Sequence, residues 1–339
     1  MNAICLKPDL ERTTLSLDST VGGLGDVWMR LSALYSLAPL VPVQRIQLRI
    51  PKSLTAVAQF AWPDRFLITS DLLPGAIEIT HLGLRHLLPR LMAGERFLTP
   101  FYEILRADRK ATNLKHRLNH VLTQAAKGTG SFLVPNSASV NCYQGYHELS
   151  AVSELSAVTY HLFVEQAQQD FFRVRERLQA RWPKNERPRW KVLVLPSGTG
   201  HQIMPPNWAR AHLPEATYAF FVRDEYKNEF LSKGLRVIEF DSLETLLTIA
   251  SQAEVAVVTD SFPSHPLQAY ASSTIVALSQ QPQERIVHPA FDGKVVHSKA
   301  RCCPCANRAR GNGKCDAGLE VCTTWSDKQY TQELLAGLV

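Results

Sequence analysis

A regular alternation of apolar strands and short helices in the second half of the chain limits the fold more than any other feature. Predicted strands lie at about 191–195, 217–222, 236–239, 255–259 and 274–278, and predicted helices lie near 206–212, 224–232, 242–252 and 264–271. Val255 to Val258 is apolar at every position instead of every second one, which predicts a strand buried on both faces. Strands of this kind joined by helices form a parallel, doubly wound sheet, so this half is predicted to be an α/β domain.

The length of the chain predicts another domain in front of this one. Its 339 residues exceed what a single hydrophobic core usually supports. A predicted strand at Thr14–Asp18 begins the first domain, and further strands are predicted at 45–50, 65–68 and 76–79. The polar, proline-bearing segment 183–190 is typical of an interdomain linker, which gives domains at 1–182 and 191–339.

A polar turn at the end of the predicted strand 255–259 indicates a ligand site. Asp260, Ser261 and His265 follow the carboxyl end of that strand at a helix start, where open α/β sheets bind phosphorylated ligands. A capped turn with an incidental histidine is the alternative interpretation. The loop Pro196–His201 also follows an apolar strand, and its backbone amides and hydroxyl groups could hold a diphosphate.

A glycine-rich loop follows the first predicted strand. Gly22, Gly23 and Gly25 allow a ligand to approach the backbone closely, and a helix with an apolar stripe begins directly after them. Asp26 lies in the first turn of that helix, where the helix dipole alone would favour a carboxylate. The loop is neither a Walker motif nor a complete dinucleotide fingerprint.

Five of the seven cysteines lie between Cys302 and Cys322, which indicates a local site instead of a distributed disulfide framework. Cys302 and Cys305 have the spacing of a metal knuckle, and Cys315 and Cys322 would complete a tetrahedral set of thiolates. Cys303 could replace one of these ligands. The cluster therefore predicts a structural zinc or iron site, and disulfides are the alternative.

Charge and hydropathy restrict the location of the protein and the class of its ligand. A net charge of +6 with a pI near 8.9 suits an anionic substrate, a membrane surface or nucleic acid without choosing among them. No apolar run reaches a membrane-spanning length, and the N-terminus lacks the layout of a signal peptide, so a cytoplasmic protein is expected. The segment 82–127 is predicted to be largely helical and is rich in Arg and Lys. A solvated charged surface is its simplest interpretation, and a surface that faces an acidic acceptor is the functional one.

Three motifs, in this order, resemble the heptosyltransferase family of GT-B glycosyltransferases, of the ADP-heptose:acceptor type. They are Gly25-Asp-Val27 at the first helix start, the turn from Asp260 to His265, and the Cys-x-Pro-Cys segment 302–305. Their spacing covers nearly the whole chain. The resemblance implies two facing Rossmann-like domains, the first for the acceptor and the second for the nucleotide-sugar.

The resemblance also assigns roles to residues. Asp26 matches the family's catalytic base, and Glu225 matches its ribose-binding glutamate. The residues that match its phosphate-binding loop and turn are Ser197, Gly198, Thr199 and Gly200, together with Asp260, Ser261 and His265. Two departures fall on the donor side: Phe262 stands where the family usually has glycine, and no lysine precedes Trp208. His201 or Arg210 could supply the missing positive charge.

These residue types suit an inverting transfer of a sugar from a nucleotide-sugar to a hydroxyl group. The resemblance implies that an ADP-sugar is the favoured donor and that the acceptor is a glycan, a glycolipid or a protein. Asp26 would take the proton of the acceptor, and Ser261, His265 and the 197–200 amides would stabilise the leaving diphosphate. No Asp-x-Asp motif is evident, so no catalytic divalent metal is required. Peripheral association with a membrane stays open. Two alternatives are less favoured: a non-catalytic binding module on the same fold, and a glycosyltransferase that modifies nucleic acid through the segment 82–127.

Overall fold

The computed structural model describes residues 14–20, 23–40, 45–79, 89, 92–93, 97–101, 132–135, 160–198, 203–279, 283–299 and 322–338. The chain divides into two compact units, residues 1–170 and 171–339. The division falls within the helix Tyr160–Arg181, ahead of the predicted linker 183–190. Both units are built on a parallel sheet. The alternating pattern predicts this sheet for the second unit, and the family resemblance implies it for the first.

The first unit contains a six-stranded parallel sheet. Its strands are β1 (Thr14–Asp18), β2 (Arg45–Arg49), β3 (Phe66–Thr69), β4 (Ile77–Ile79), β5 (Phe97–Phe101) and β6 (Phe132–Pro135), in the spatial order β3-β2-β1-β4-β5-β6. Helix α1 (Leu24–Leu37) follows β1, α2 (Lys52–Ala61) follows β2, and α3 (Tyr160–Arg181) continues into the second unit.

Apolar residues at helical spacing explain why α1 packs on this sheet. Val27, Leu31 and Leu34 form the predicted stripe and are buried. Trp28 lies on the same helix, and its ring centroid is 4.9 Å from that of Trp62, just after α2. This packing fixes α1 relative to the end of α2.

The second unit repeats the same plan. Its strands are β7 (Trp190–Leu195), β8 (Thr217–Phe221), β9 (Arg236–Phe240), β10 (Ala253–Thr259), β11 (Thr274–Leu278) and β12 (Lys294–His297), in the order β12-β11-β10-β7-β8-β9. The helices between them are α4 (Pro206–His212), α5 (Lys227–Ser232), α6 (Leu243–Ser251), α7 (Ser264–Tyr270) and α8 (Gln283–Ile286). All described strand pairs are parallel, and the predicted doubly wound sheet is confirmed.

The C-terminal helix α9 (Lys328–Leu335) completes the core of the second unit, and neither it nor β12 was predicted from the sequence. The indole nitrogen of Trp208, on α4, donates a hydrogen bond of 3.1 Å to Thr331 Oγ1 on α9. Trp325, just before α9, packs edge-on against Trp208 with ring centroids 5.0 Å apart. The end of the chain is therefore anchored to the sheet through aromatic packing.

The prediction that 82–127 is largely helical is wrong at 97–101, where β5 lies between β4 and β6. Two phenylalanines bound this strand, and aromatic residues suit a pleated sheet. Pro100, which cannot donate to the ladder, and the surrounding Leu and Arg residues concealed it in the sequence. Apart from 89, 92–93 and β5, this segment lies outside the described residues.

Candidate functional site

The strand order of each sheet reverses direction at one point, and this is where open α/β sheets bind ligands. In the second unit the reversal occurs at β7, which lies between β10 and β8. Because the strands are parallel, the segments that follow them meet at one edge of the sheet. Those segments carry the predicted donor residues, namely Ser197 and Gly198 after β7, Glu225 after β8, and Asp260, Ser261 and His265 after β10. The structure therefore brings these residues to one carboxyl edge, and Thr199 and Gly200 lie outside the described residues.

The turn after β10 uses most of its own backbone donors. Ser261 N donates to the Thr259 carbonyl at 2.7 Å, Ser264 N donates to the Ser261 carbonyl at 3.0 Å, and His265 N donates to the Phe262 carbonyl at 3.1 Å. The Phe262 N–H has no acceptor among the described residues. The predicted helix start is thus a compact turn, and the donors that it offers a ligand are the Phe262 amide and the Ser261 hydroxyl.

The side chains of this turn differ in how far they reach solvent. Ser261 is partly exposed, and its hydroxyl lies 3.3 Å from that of Thr259. Asp260 and His265 are buried, with 1% and 4% of their surfaces exposed. Ser279 follows β11, and its hydroxyl donates a 3.0 Å hydrogen bond to Asp260 Oδ1. Asp260 therefore supports the turn from inside, and Ser261 is its accessible polar side chain.

The segment after β8 carries positive charge at this edge, on Arg223 and Lys227. The amine of Lys227 lies 2.9 Å from a carboxylate oxygen of Glu239 and donates to the Val222 carbonyl at 2.7 Å. Arg223 is exposed and makes no ion pair or hydrogen bond with any described residue. Arg223 is thus available to an anionic ligand, whereas the charge of Lys227 is compensated by Glu239.

Arg210 does not lie at this edge. It is in the last turn of α4, and its guanidinium donates a 2.8 Å hydrogen bond to the Lys233 carbonyl, just before β9 begins. That position is at the amino end of β9, opposite to the edge that carries the predicted donor residues. Arg210 therefore does not replace the absent lysine, and His201 lies outside the described residues.

In the first unit the reversal occurs at β1, and the loop after it leads to Asp26. Asp26 is partly exposed, and its Oδ2 accepts a 3.1 Å hydrogen bond from the Gly23 N–H at the start of α1. This contact caps the start of the helix, where the helix dipole also favours a carboxylate. Its other carboxylate oxygen has no hydrogen-bond partner within the described part of the chain.

The described glycines of this loop do not need positive φ angles. Gly23 has φ −70°, and Gly25 lies within α1. A Cβ atom added at Gly23 would meet only Asp26 Oδ2, at 3.4 Å. Because these glycines carry no side chain, a ligand can approach the backbone closely here. Gly22 lies outside the described residues.

A partly buried ionic group lies at the end of β1, and it was not predicted from the sequence. Arg49, at the end of β2, donates to Asp18 Oδ2 at 2.8 Å, and the Thr20 hydroxyl donates to Asp18 Oδ1 at 2.7 Å. Burial opposes ionisation of Asp18, but the hydrogen bonds from Thr20 and Arg49 outweigh it and lower the pKa of Asp18 below its ordinary value. Arg30, fully buried on α1, donates to the Ser19 hydroxyl at 2.9 Å. The position of Asp18 as the last residue of a strand was the available signal.

The predicted metal ligands Cys302, Cys303, Cys305 and Cys315 lie outside the described residues. Cys322 is described, and its sulfur lies 3.2 Å from Thr324 Oγ1. Within the described ranges, no group of three or more His, Cys, Asp or Glu side chains could hold a metal ion. The zinc or iron site stays a prediction. None of the described helices combines the length and the apolar character needed to cross a membrane.

No protein-family model matches the chain, and no curated protein matches it. It is similar to the solved structure of E. coli ADP-heptose LPS heptosyltransferase II, with 11% identity, a TM-score of 0.54, and 96% of this chain and 98% of that chain covered. It is also similar to a family 9 glycosyl transferase from Veillonella parvula, with 13% identity, a TM-score of 0.53 and 99% of each chain covered. These likenesses confirm the predicted GT-B fold of two Rossmann-like domains and the resemblance to heptosyltransferases at the level of the fold.

Proposed function

We propose that the chain is an inverting glycosyltransferase that moves a heptose-like sugar from a nucleoside-diphosphate donor, with an ADP-sugar favoured, to a hydroxyl group of an acceptor. One observation carries this proposal: those predicted donor residues that the structure describes follow strands that end at the carboxyl edge of a sheet with Rossmann order, beside its reversal point. The shared fold of the two solved heptosyltransferase-like structures supports it.

The donor diphosphate is proposed to bind between the loop after β7 and the turn after β10. Ser197, Gly198, the Phe262 N–H and the Ser261 hydroxyl would supply hydrogen bonds to it, and Arg223 would supply positive charge. These groups favour transfer because negative charge grows on the leaving diphosphate in the transition state. Glu225 is exposed after β8 and would accept hydrogen bonds from ribose hydroxyls.

Asp26 is proposed to act as the general base. The Gly23 N–H holds one of its carboxylate oxygens, which orients the carboxylate and leaves the second oxygen available for the proton of the acceptor hydroxyl. The capping contact and the catalytic role are therefore compatible. The acceptor is proposed to be a glycan, a glycolipid or a protein, and the mechanism routes no step through a divalent metal.

Nucleotide-sugar binding followed by transfer tests this proposal. We expect a thermal-shift screen to show that ADP-sugars raise the melting temperature more than UDP- or GDP-sugars do, because a specific ligand stabilises the folded state by mass action. Arg223→Ala should weaken binding of the nucleotide-sugar, because Arg223 would supply positive charge to the diphosphate. Arg210→Ala is the matched control, since both arginines are exposed but only Arg223 lies at the donor edge. A chain that binds no nucleotide-sugar would contradict the proposal. Binding without any turnover would favour a non-catalytic module on the same fold.

A further inference from the structure

Ser279 connects the proposed donor turn to the last segment of the chain. It is the first residue after β11, it is fully buried, and its hydroxyl donates to Asp260 Oδ1 at 3.0 Å. Its backbone carbonyl accepts a 3.4 Å hydrogen bond from the Thr324 hydroxyl. Thr324 belongs to a short 3-10 helix, Thr323–Ser326, that precedes α9. One residue thus contacts both Asp260 and the C-terminal segment.

The contacts of Thr324 extend this connection across the sheet edge. Thr324 is fully buried and shares a short hydrogen bond with the Ser298 hydroxyl, which follows β12. Ser298 N donates in turn to the Leu278 carbonyl at 3.2 Å. Asp260, Ser279, Ser298 and Thr324 therefore form one hydrogen-bonded chain, here called the hydroxyl chain, that joins the ends of β10, β11 and β12 to the segment after the cysteine cluster.

The direction of the hydrogen bonds shows what the hydroxyl chain does. Thr324 has a single hydroxyl proton, which it donates to the Ser279 carbonyl, so it accepts from Ser298. Ser279 then directs its own proton to Asp260. The Thr324 proton is held by the Ser279 backbone carbonyl and the Ser279 hydroxyl proton by Asp260, so the two bonds together fix Ser279 between the C-terminal segment and the carboxylate.

A fixed carboxylate matters at this position because Asp260 directly precedes Ser261 and Phe262, which offer their polar groups to a ligand. A carboxylate free to turn outward would repel a diphosphate at this turn. Burial of Asp260 and its bond from Ser279 prevent that movement. The backbone that carries Ser261 is held by the same contacts.

We propose that Ser279 and Thr324 are positioning residues of the donor turn, and that the segment after the cysteine cluster sets the affinity for the nucleoside diphosphate through Asp260. This inference rests on the proposed function, because it takes the turn after β10 to be the diphosphate site. Neither residue is required to touch the ligand. Their effect is transmitted through the hydroxyl chain.

Isosteric variants of Thr324 test the proposal, with ADP as the probe in calorimetry at a temperature where each variant is fully folded. Thr324→Val keeps the shape and removes the hydroxyl, which leaves buried polar partners unsatisfied, so we expect the ADP dissociation constant to rise about tenfold. Thr324→Ser keeps the hydroxyl and should stay within about twofold of the parent chain. Ser298→Ala should show a smaller rise in the same direction, because Ser298 is one step further from Asp260.

Thr331→Val is the matched control. Thr331 is also a buried threonine of the C-terminal segment, but its hydroxyl accepts from Trp208 and has no described contact with the hydroxyl chain. It should lower the melting temperature without changing the ADP dissociation constant. If Thr324→Val behaves in the same way as Thr331→Val, Thr324 is merely structural and the proposal is wrong.

A ligand-free measurement separates failure of this inference from failure of the proposed function. If the parent chain binds no ADP, the proposed function is contradicted, and the hydroxyl chain is then judged from thermal unfolding alone. Residues in one hydrogen-bonded network give non-additive changes, so Asp260→Asn combined with Thr324→Val should lower the melting temperature by less than the sum of the single changes. Additive shifts would overturn the inference.

Discussion

The two reversal points of the molecule place candidate functional residues in different local environments. In the first unit the end of β1 carries an ion pair, Arg49 with Asp18, whose side chains are 29% and 18% exposed. In the second unit the turn after β10 rests on buried hydroxyl groups around Asp260. A base that exchanges a proton with an acceptor benefits from an accessible, charged environment, and a site that holds a diphosphate benefits from fixed donors. The same strand order thus supports two different local chemistries.

The largest effect is expected at the first reversal point. Asp26→Asn should lower turnover by about two to four orders of magnitude, because the amide cannot accept the proton, and the ADP dissociation constant should stay unchanged. Asn can still accept the hydrogen bond from Gly23, so loop geometry is retained. Transfer kinetics and calorimetry on the same preparation measure the two quantities. Near-normal turnover would leave Asp26 as a helix cap.

Substitutions at the second reversal point should weaken binding of the donor and not only slow the transfer step. Ser261→Ala removes the accessible hydroxyl of the turn, and we expect the dissociation constants of ADP and of the ADP-sugar to rise together by about tenfold. His265→Ala should weaken both as well. Ser264→Ala, which removes a hydroxyl bonded to the Ser261 carbonyl inside the turn, controls for loss of turn structure. Unchanged ADP affinity in calorimetry would move the diphosphate away from this turn.

As the pH falls, the second unit should lose stability before Asp18 in the first unit is protonated. Burial, and then the nearby Arg175 charge, lower the pKa of His288 from 6.5 to about 3. Between pH 6.5 and about 3, His288 is neutral in the folded state but protonated in the unfolded state. Unfolding therefore takes up about one proton in this range, and the second unit loses stability as the pH falls below 6.5. His288→Gln should flatten this dependence. Chemical denaturation at several pH values between 5 and 7 measures the slope, and equal slopes for parent and variant would exclude His288 as the cause.

The cysteine cluster follows β12, and Cys322 adjoins the hydroxyl chain, so its chemistry bears on the second reversal point. If Cys302, Cys305, Cys315 and Cys322 bind one structural metal, elemental analysis should find about one equivalent of zinc or iron, and the Cys315→Ser, Cys322→Ser double change should abolish it. Cys303→Ser is the control and should retain the metal. A metal-free chain without reactive thiols would point to disulfides.

The smallest effect is expected for the ion pair of the first unit. Arg49→Met should cost about 1 kcal/mol of unfolding free energy at pH 7, since partly exposed pairs contribute little. The lowered pKa of Asp18 means that the stabilisation is present above its ordinary value of 3.8 and is lost as the pH falls through the lower folded value. Denaturant unfolding of parent and Arg49→Met should therefore converge below pH 3.8. A constant difference down to pH 2 would assign the effect to packing.

Local sequence determined the elements of the second unit closely. Helix α4 occupies the predicted range 206–212, and β11 occupies the predicted range 274–278, because apolar runs between turn residues specify such segments without distant partners. The same logic placed Asp26, Ser261 and Glu225 after their strands. Sequence did not specify β5, whose Pro100 suits a strand interior poorly and whose place depends on its neighbours β4 and β6.

Only the tertiary structure decided which polar residues support the candidate sites. Asp18 and Arg49 are 31 positions apart, and Ser279 and Thr324 are 45 apart, so no local pattern joins either pair. Parallel pairing of β1 with β2 brings Asp18 and Arg49 together. Packing of the 3-10 helix Thr323–Ser326 against the end of β11 brings Thr324 to Ser279. Burial then decides their roles, since it forces each hydroxyl and carboxylate to find a partner inside the fold. The sequence determined the residue types, and the tertiary structure determined which of them meet.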